Sequence, residues 1–152
     1  MMREFLKKIK SSNKINDSVT LDLHQRVKCR IKVVTDGGES IGIFMQRGTV
    51  LKNSDLMADK DGYVIKVIAA SEKLSSIYSK DYLQLLKASY HLGNRHVELQ
   101  INKGSLHYKH DHVLDDMIKS LGFDVVIEFL PFQPENGAYH THKEGKNHHE
   151  HK

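Results

Sequence analysis

A chain of 152 residues with 39% hydrophobic side chains is the size of one domain or of two small ones, with room for a packed core in either case. A formal charge of +4 is spread over 23 basic and 19 acidic residues with no basic run, which argues against a nucleic-acid footprint, and no apolar stretch approaches the ~20 residues of a membrane span. Residues 1–10 lack the apolar stretch of a secretory leader, so a cytoplasmic location is expected, and a single cysteine, Cys29, excludes an internal disulfide or a thiolate metal cage.

The first seventy residues read as β structure. Val19, Leu21 and Leu23 alternate with polar neighbours, as do Ile41, Ile43 and Met45, the period of strands with one buried face. Between the runs Cys29 to Val34 and Ser40 to Gln46 lies Thr35-Asp-Gly-Gly38, whose glycines supply the positive φ of a hairpin turn. Asp61-Gly62 is a second turn, followed by a strand from Tyr63 to Ala70, and no helical period is visible in this half.

Beyond Ala70 the pattern changes. Tyr82, Leu85, Leu86 and Tyr90 recur at helical spacing, with Ser79 placed to cap the start and Gly93 to end the helix. Val97, Leu99 and Ile101 alternate as a strand, Lys103-Gly104 turns, and Ser105 to Lys109 forms a short partner. A second helix has Asp111 as N-cap, an apolar face of Val113, Leu114, Met117, Ile118 and Leu121, and Gly122 at its end. Phe123, Val125, Ile127 and Phe129 alternate in a last strand. With Leu74 to Tyr78 as a first strand the order is β-α-β-β-α-β, the ferredoxin-like arrangement. The expected fold class is α+β: an N-terminal all-β domain (1–72), a ferredoxin-like domain (73–134), and a disordered histidine-rich tail (135–152) with no means of burying a core.

Histidine is the compositional outlier: there are eleven, ten of them from His91 onward. His91 belongs to the last helical turn, where the carbonyl dipole favours it, and His96 lies past the Gly93 break, so the two are not expected to chelate together. His107, His110 and His112 flank the start of the second helix off its apolar stripe and are expected to be accessible ligands. The run His-Tyr-Lys-His-Asp-His comes close to a metallo-hydrolase motif, but its first spacing is one residue too long and no further ligand segments accompany it. The tail carries His140, His142, His148, His149 and His151. An expression tag is the competing reading for these, although Lys, Glu and Asn interrupt the tract. Imidazole-rich segments without thiolate suit Ni, Zn and Cu and do not choose between them by affinity alone.

Tyr90-His-Leu-Gly-Asn-Arg-His96 followed by Val97-x-Leu-Gln100, then Asp111-His-Val-Leu-Asp-Asp-Met117, Leu121-Gly122 and Pro131-Phe-x-Pro-Glu-Asn-Gly-Ala-Tyr139 resemble the urease accessory protein UreE family. The first half is similar through Thr35-Asp-Gly-Gly38, Gly42-Ile-Phe44, Arg47-Gly-Thr-Val-Leu51 and Asp61-Gly62. The resemblance covers nearly the whole chain. It implies a nickel metallochaperone, not an enzyme: a cytoplasmic homodimer that delivers Ni2+ to the urease maturation complex of a GTPase, apo-urease and other accessory proteins, binding neither nucleic acid nor membrane. It also implies that His96 is the interface ligand and that His110 and His112 are secondary ones, with Zn2+ or Cu2+ able to take the same donors. A two-fold axis presents His96 twice, so a pair of chains can supply two imidazoles and leave positions for tail histidines or solvent.

Three other functions are weighed against this one. An RNA-recognition module would carry aromatic and glycine-rich signatures on its central strands, and Val97 to Ile101 and Ser105 to Lys109 carry none. A zinc hydrolase on His107 to His112 would need further fixed ligands and a general base. Passive metal storage is allowed by the tail alone, and differs from delivery in needing no partner complex.

Overall fold

The structure is a computed structural model that describes residues 1–136. The expected tail lies almost wholly outside the described residues, and with it His140, His142, His148, His149 and His151. The chain divides into two compact units between Ala70 and Ser71, ahead of the expected boundary at residue 73.

The first unit packs two sheets around one core. Strands β1 (Arg3–Phe5), β5 (Ser40–Phe44) and β4 (Arg30–Val34) form one sheet in that order, and β2 (Lys8–Ile9), β6 (Leu56–Ala58), β7 (Val64–Ala69) and β3 (Asp17–Leu21) form the other. Phe5, Ile41 and Ile43 from the first sheet meet Val19, Leu21, Met57, Ile65 and Val67 from the second, all fully buried. The alternation of apolar and polar residues puts these side chains on one face of each strand. The expected hairpin turn is present: Gly38 has φ 95° and donates its N–H to the Thr35 carbonyl at 2.9 Å. Gly42 has a different reason to be glycine, since a Cβ there would lie 2.7 Å from the Phe44 ring.

One element of this unit departs from the sequence expectation. Residues Leu23–Arg26 form a single helical turn, α1, closed by a capping box in which Asp22 accepts the Gln25 N–H and Gln25 returns the bond to the Asp22 N–H. Four residues are too few to show a helical period, so only the Asp22/Gln25 spacing signals it. Arg26 is buried, and its guanidinium donates to the carbonyls of Leu21 and Leu51.

The second unit is ferredoxin-like. Its elements are β8 (Ser71–Tyr78), α2 (Tyr82–Gly93), β9 (Gln100–Asn102), β10 (Ser105–Lys109), α3 (His112–Ser120) and β11 (Val126–Pro131), and the sheet runs β11-β8-β10-β9 with every pairing antiparallel. The core holds Ile77, Leu106 and Tyr108 from the sheet and Leu85, Ala88, Leu92, Leu114 and Ile118 from the helices. Each fully buried leucine contributes roughly 1.5–3 kcal/mol of transfer free energy.

The elements match expectation in order and differ in their faces and ends. Asp81, not Ser79, caps α2, accepting from the N–H groups of Leu83 and Gln84, while the Ser79 hydroxyl accepts from the Asp81 N–H. The buried stripe of α2 is Leu85, Ala88 and Leu92, whereas Tyr82, Leu83, Leu86 and Tyr90 are all more than half exposed. On α3, Val113 points outward, and Leu114, Met117, Ile118 and Leu121 face the core. Phe123 and Val125 pack beside the core ahead of β11, whose Ile127 and Phe129 are exposed, and β9 begins at Gln100 instead of Val97.

After β11 the chain crosses to the opposite edge of the sheet. Phe132 is fully buried, the Gln133 N–H donates to the Gln100 side chain, and the Glu135 N–H donates to the Leu99 carbonyl, each over 2.8 Å. The end of the described chain is thereby tied beside the entrance to β9.

Candidate metal centre

The turn from α2 to β9 positions His96. Asn94 continues in right-handed helical conformation, the Arg95 and His96 N–H groups donate to the carbonyls of Leu92 and Gly93, and the chain reverses at His96 itself, with φ 56°. The sequence suggested Gly93 as the breaker. Gly93 instead remains the last helical residue, and the left-handed conformation falls on an imidazole-bearing residue at a cost of about 1–2 kcal/mol. His96 is exposed. His91 lies in the last turn of α2, in an edge contact with the neighbouring Tyr90 ring.

His110 and His112 straddle the N-cap of α3. Asp111 accepts from the N–H groups of Val113 and Leu114, as its position predicted, and His112 is the exposed first helical residue. His110 is half-buried, its N–H donating to the Lys73 carbonyl at 3.1 Å. Its Nδ1 lies 3.2 Å from Asp115 Oδ2 and 3.1 Å from the Ser75 hydroxyl, and Asp115 Oδ1 accepts a 2.6 Å bond from the Tyr108 hydroxyl. Burial, followed by the bond to Asp115, pushes the Tyr108 phenol far above its ordinary range, so it remains a donor.

Asp115 was not singled out from the sequence. It follows Leu114 and precedes Ile118 by one helical turn, so it sits at the margin of the buried stripe, and it is only 4% exposed. That placement is the signal that could have marked it, because a carboxylate so buried requires hydrogen-bond partners.

His107 is not an accessible ligand. It faces away from Leu106 and Tyr108 as the strand period requires, yet it is 2% exposed, with Nδ1 at 2.7 Å from the Ser76 hydroxyl and Nε2 at 2.9 Å from that of Ser105. Both ring nitrogens are engaged, and the Tyr78 ring closes against it edge-on. Burial holds its pKa below the usual histidine value, opposed by the Glu128 carboxylate. Glu128 is itself held low by bonds from Ser76 and Tyr78, and its bond to Tyr78 raises that phenol.

The structure places His96 and the His110/His112 pair on different turns. Among the described residues no three His, Cys, Asp or Glu side chains converge to hold a metal ion. A recess of about 680 Å3 in the first unit, lined by Met1, Met2, Arg3, Leu6, Glu39 and Asp59 among others, contains no histidine. No helix among the described residues is long and apolar enough to cross a membrane.

Comparison with known proteins matches both units. Residues 3–70 match the family described as UreE urease accessory protein, N-terminal domain, and residues 72–152 match the corresponding C-terminal domain. The chain is 46% identical over 136 residues to the urease accessory protein UreE of Pseudomonas putida (strain W619), covering 89% of this chain and 84% of that protein. It is 48% identical over 127 residues to the protein of the same name from Alcanivorax borkumensis, covering 80% of this chain and 72% of the relative. With UreE of Aliivibrio fischeri (strain MJ11) it shares 48% identity over 122 residues, 80% of this chain and 75% of the relative. With both units matched in order and relatives aligned over most of their length, the chain belongs to the UreE urease accessory protein family.

Proposed function

We propose that this protein is a nickel metallochaperone: a cytoplasmic homodimer that carries Ni2+ to the GTPase and apo-urease of the urease maturation complex. Its role is carriage, not catalysis, and its first unit docks the partner. The observation that carries this reading is the position of His96, an exposed imidazole at the end of a helix whose outer stripe, Tyr82, Leu83, Leu86 and Tyr90, is apolar and exposed. Exposed aromatic and leucine side chains in one stripe favour self-association, and a two-fold axis near its end brings two His96 rings to one metal.

His110 and His112 supply a weaker site. The tail histidines His140, His142, His148, His149 and His151 act as exchangeable ligands, for which the anchorage of Glu135 beside Leu99 is favourable, since His140 follows only five positions later and Leu99 only three after His96. Imidazole donors suit Ni2+ and admit Zn2+ or Cu2+ as competitors. Loss of one exchangeable ligand at a time lets bound metal be handed over stepwise.

The test pairs calorimetry with capture. Nickel titration of the protein truncated after Tyr139 should give about half a tight metal per chain, and His96→Ala should abolish that site. The metal-loaded protein, and not the metal-free form, should retain the urease GTPase in a pull-down. Tight binding unchanged in His96→Ala sinks the shared site, and failure to capture the GTPase either with or without nickel points to storage instead of delivery.

A further inference from the structure

We infer that Asp115 is a positioning residue for metal capture: held by Tyr108, its carboxylate fixes the His110 ring in the tautomer that leaves Nε2 as the ligating nitrogen. The inference rests on the reading of His110 as a ligand and adds how that ligand is prepared.

The argument is one of donors and acceptors. A carboxylate only accepts, and Asp115 accepts twice, from the Tyr108 hydroxyl at Oδ1 over 2.6 Å and from His110 Nδ1 at Oδ2 over 3.2 Å. Neutral imidazole has a single N–H. With that hydrogen directed at Asp115, the lone pair is on Nε2. Ser75 is compatible, because its hydroxyl, 3.1 Å from Nδ1, can accept a share of the same hydrogen.

The parts are rigidly held. Tyr108 is fully buried, Asp115 lies in the first turn of α3 with its N–H bonded to the Asp111 carbonyl at 2.9 Å, and His110 is pinned by its own N–H to Lys73. The His110 side chain keeps 27% of its surface exposed, against 6% for Asp115, so solvent and metal reach the ring while its anchor is shielded. A carboxylate behind a metal-binding histidine sets its orientation and raises its basicity, and loss of such a partner costs about ten- to hundredfold in affinity.

The test uses the full-length metal-free protein, labelled with 15N, at a pH of about 7.5, above the unperturbed histidine range. Long-range 1H–15N spectra, assigned with His110→Ala, should show His110 protonated at Nδ1. In Asp115→Asn, Tyr108 still donates to the amide oxygen and the amide NH2 faces Nδ1, so the ring proton should move to Nε2. Ni2+ alone, followed by paramagnetic broadening of the His110 ring signals, should then be needed at about ten- to hundredfold higher concentration than in the unsubstituted protein. A wild-type ring protonated at Nε2 overturns the inference without need of any variant, as does an Asp115→Asn protein whose His110 responds to Ni2+ like the wild type. His110 signals that never respond to Ni2+ in the wild type, with the Nδ1–H tautomer present, overturn instead the reading of His110 as a ligand and remove the metal role of Asp115 with it.

Discussion

The Glu135 N–H bonds the Leu99 carbonyl over 2.8 Å, and together with the Gln133 N–H on the Gln100 side chain it joins the last described segment of the chain to the strand entrance beside His96. The segment between β11 and Glu135 belongs to the fold, because it carries the fully buried Phe132. Phe132→Ala is expected to destabilise the metal-free protein by about 3–5 kcal/mol, the range for truncating a core aromatic. Truncation after Tyr139 should leave the unfolding midpoint unchanged while lowering metal capacity and weakening the tight site several-fold. Urea denaturation of the three metal-free proteins checks the first pair of expectations, and nickel titration checks the second. A truncation that itself lowers stability removes the reading of the tail histidines as exchangeable ligands separate from the fold.

His96 occupies the left-handed region at φ 56°. Glycine has no Cβ to clash there, so His96→Gly should leave the metal-free fold as stable as the wild type or more stable by up to about 1 kcal/mol. His96→Val should cost at least about 1 kcal/mol, because a β-branched side chain tolerates this conformation poorly. Both lose the imidazole. Tight nickel binding should vanish in both while their stabilities diverge, and equal stabilities would remove the strain from the account.

The outer stripe of α2 is tested by Leu86→Glu. Leu86 is 66% exposed and is not one of the buried core side chains, so the substitution should preserve the circular dichroism and melting temperature expected of a folded monomer. Sedimentation should shift from dimer to monomer, and the shared metal site should be lost with it. A dimer that survives Leu86→Glu places the self-association elsewhere.

His107 sets a pH dependence of known sign. Its folded pKa lies below the ordinary 6.5, burial being the larger cause and the opposing Glu128 carboxylate the smaller. As the pH falls through 6.5 the unfolded chain takes up a proton that folded His107 refuses, so its contribution is complete above 6.5 and is lost as the pH falls through the folded value. Tyr78 and Glu128 face the same network, and Glu128, held below its ordinary 4.5, adds a second loss of stability further into acid. Unfolding of the metal-free protein between about pH 7.5 and 5.5 should show a shallower pH dependence in His107→Gln than in the wild type, whose other histidines are shared by both proteins. Parallel pH profiles would show that His107 titrates alike folded and unfolded.

Signals written in short-range chemistry were legible in the sequence. The Thr35 to Gly38 turn, the Asp111 cap and the β-α-β-β-α-β order each follow from residue types at fixed spacing, and the exposed His96 and His112 and the half-buried His110 lie near element ends as their positions predicted. Faces were harder to read. Apolar periodicity around α2 does not distinguish Leu85, Ala88 and Leu92, which meet the sheet, from Tyr82, Leu86 and Tyr90, which do not, because both sets recur at helical spacing. His107 looked like its neighbours His110 and His112 because nothing local shows that Ser76, from a strand distant in sequence, bonds one of its nitrogens. Asp115 was hidden for the same reason: its partners Tyr108 and His110 come from the preceding strand and its exit, and their convergence exists only in three dimensions.

The strand pairings of the first unit also set a timetable for synthesis. Arg3 pairs with Ile41, Lys8 with Met57 and Asp17 with Ile65, so each of the three earliest strands waits for one made long afterwards. Two of these pairings, β1 with β5 and β3 with β7, are parallel and have no hairpin to nucleate them. On a ribosome the unit cannot close until Ala69 has left the exit tunnel, and until then the apolar faces of β1 to β5 are without their partners. Such long-range pairings make folding slow relative to helix-rich domains, so the nascent N-terminal half needs protection from aggregation while it is being made.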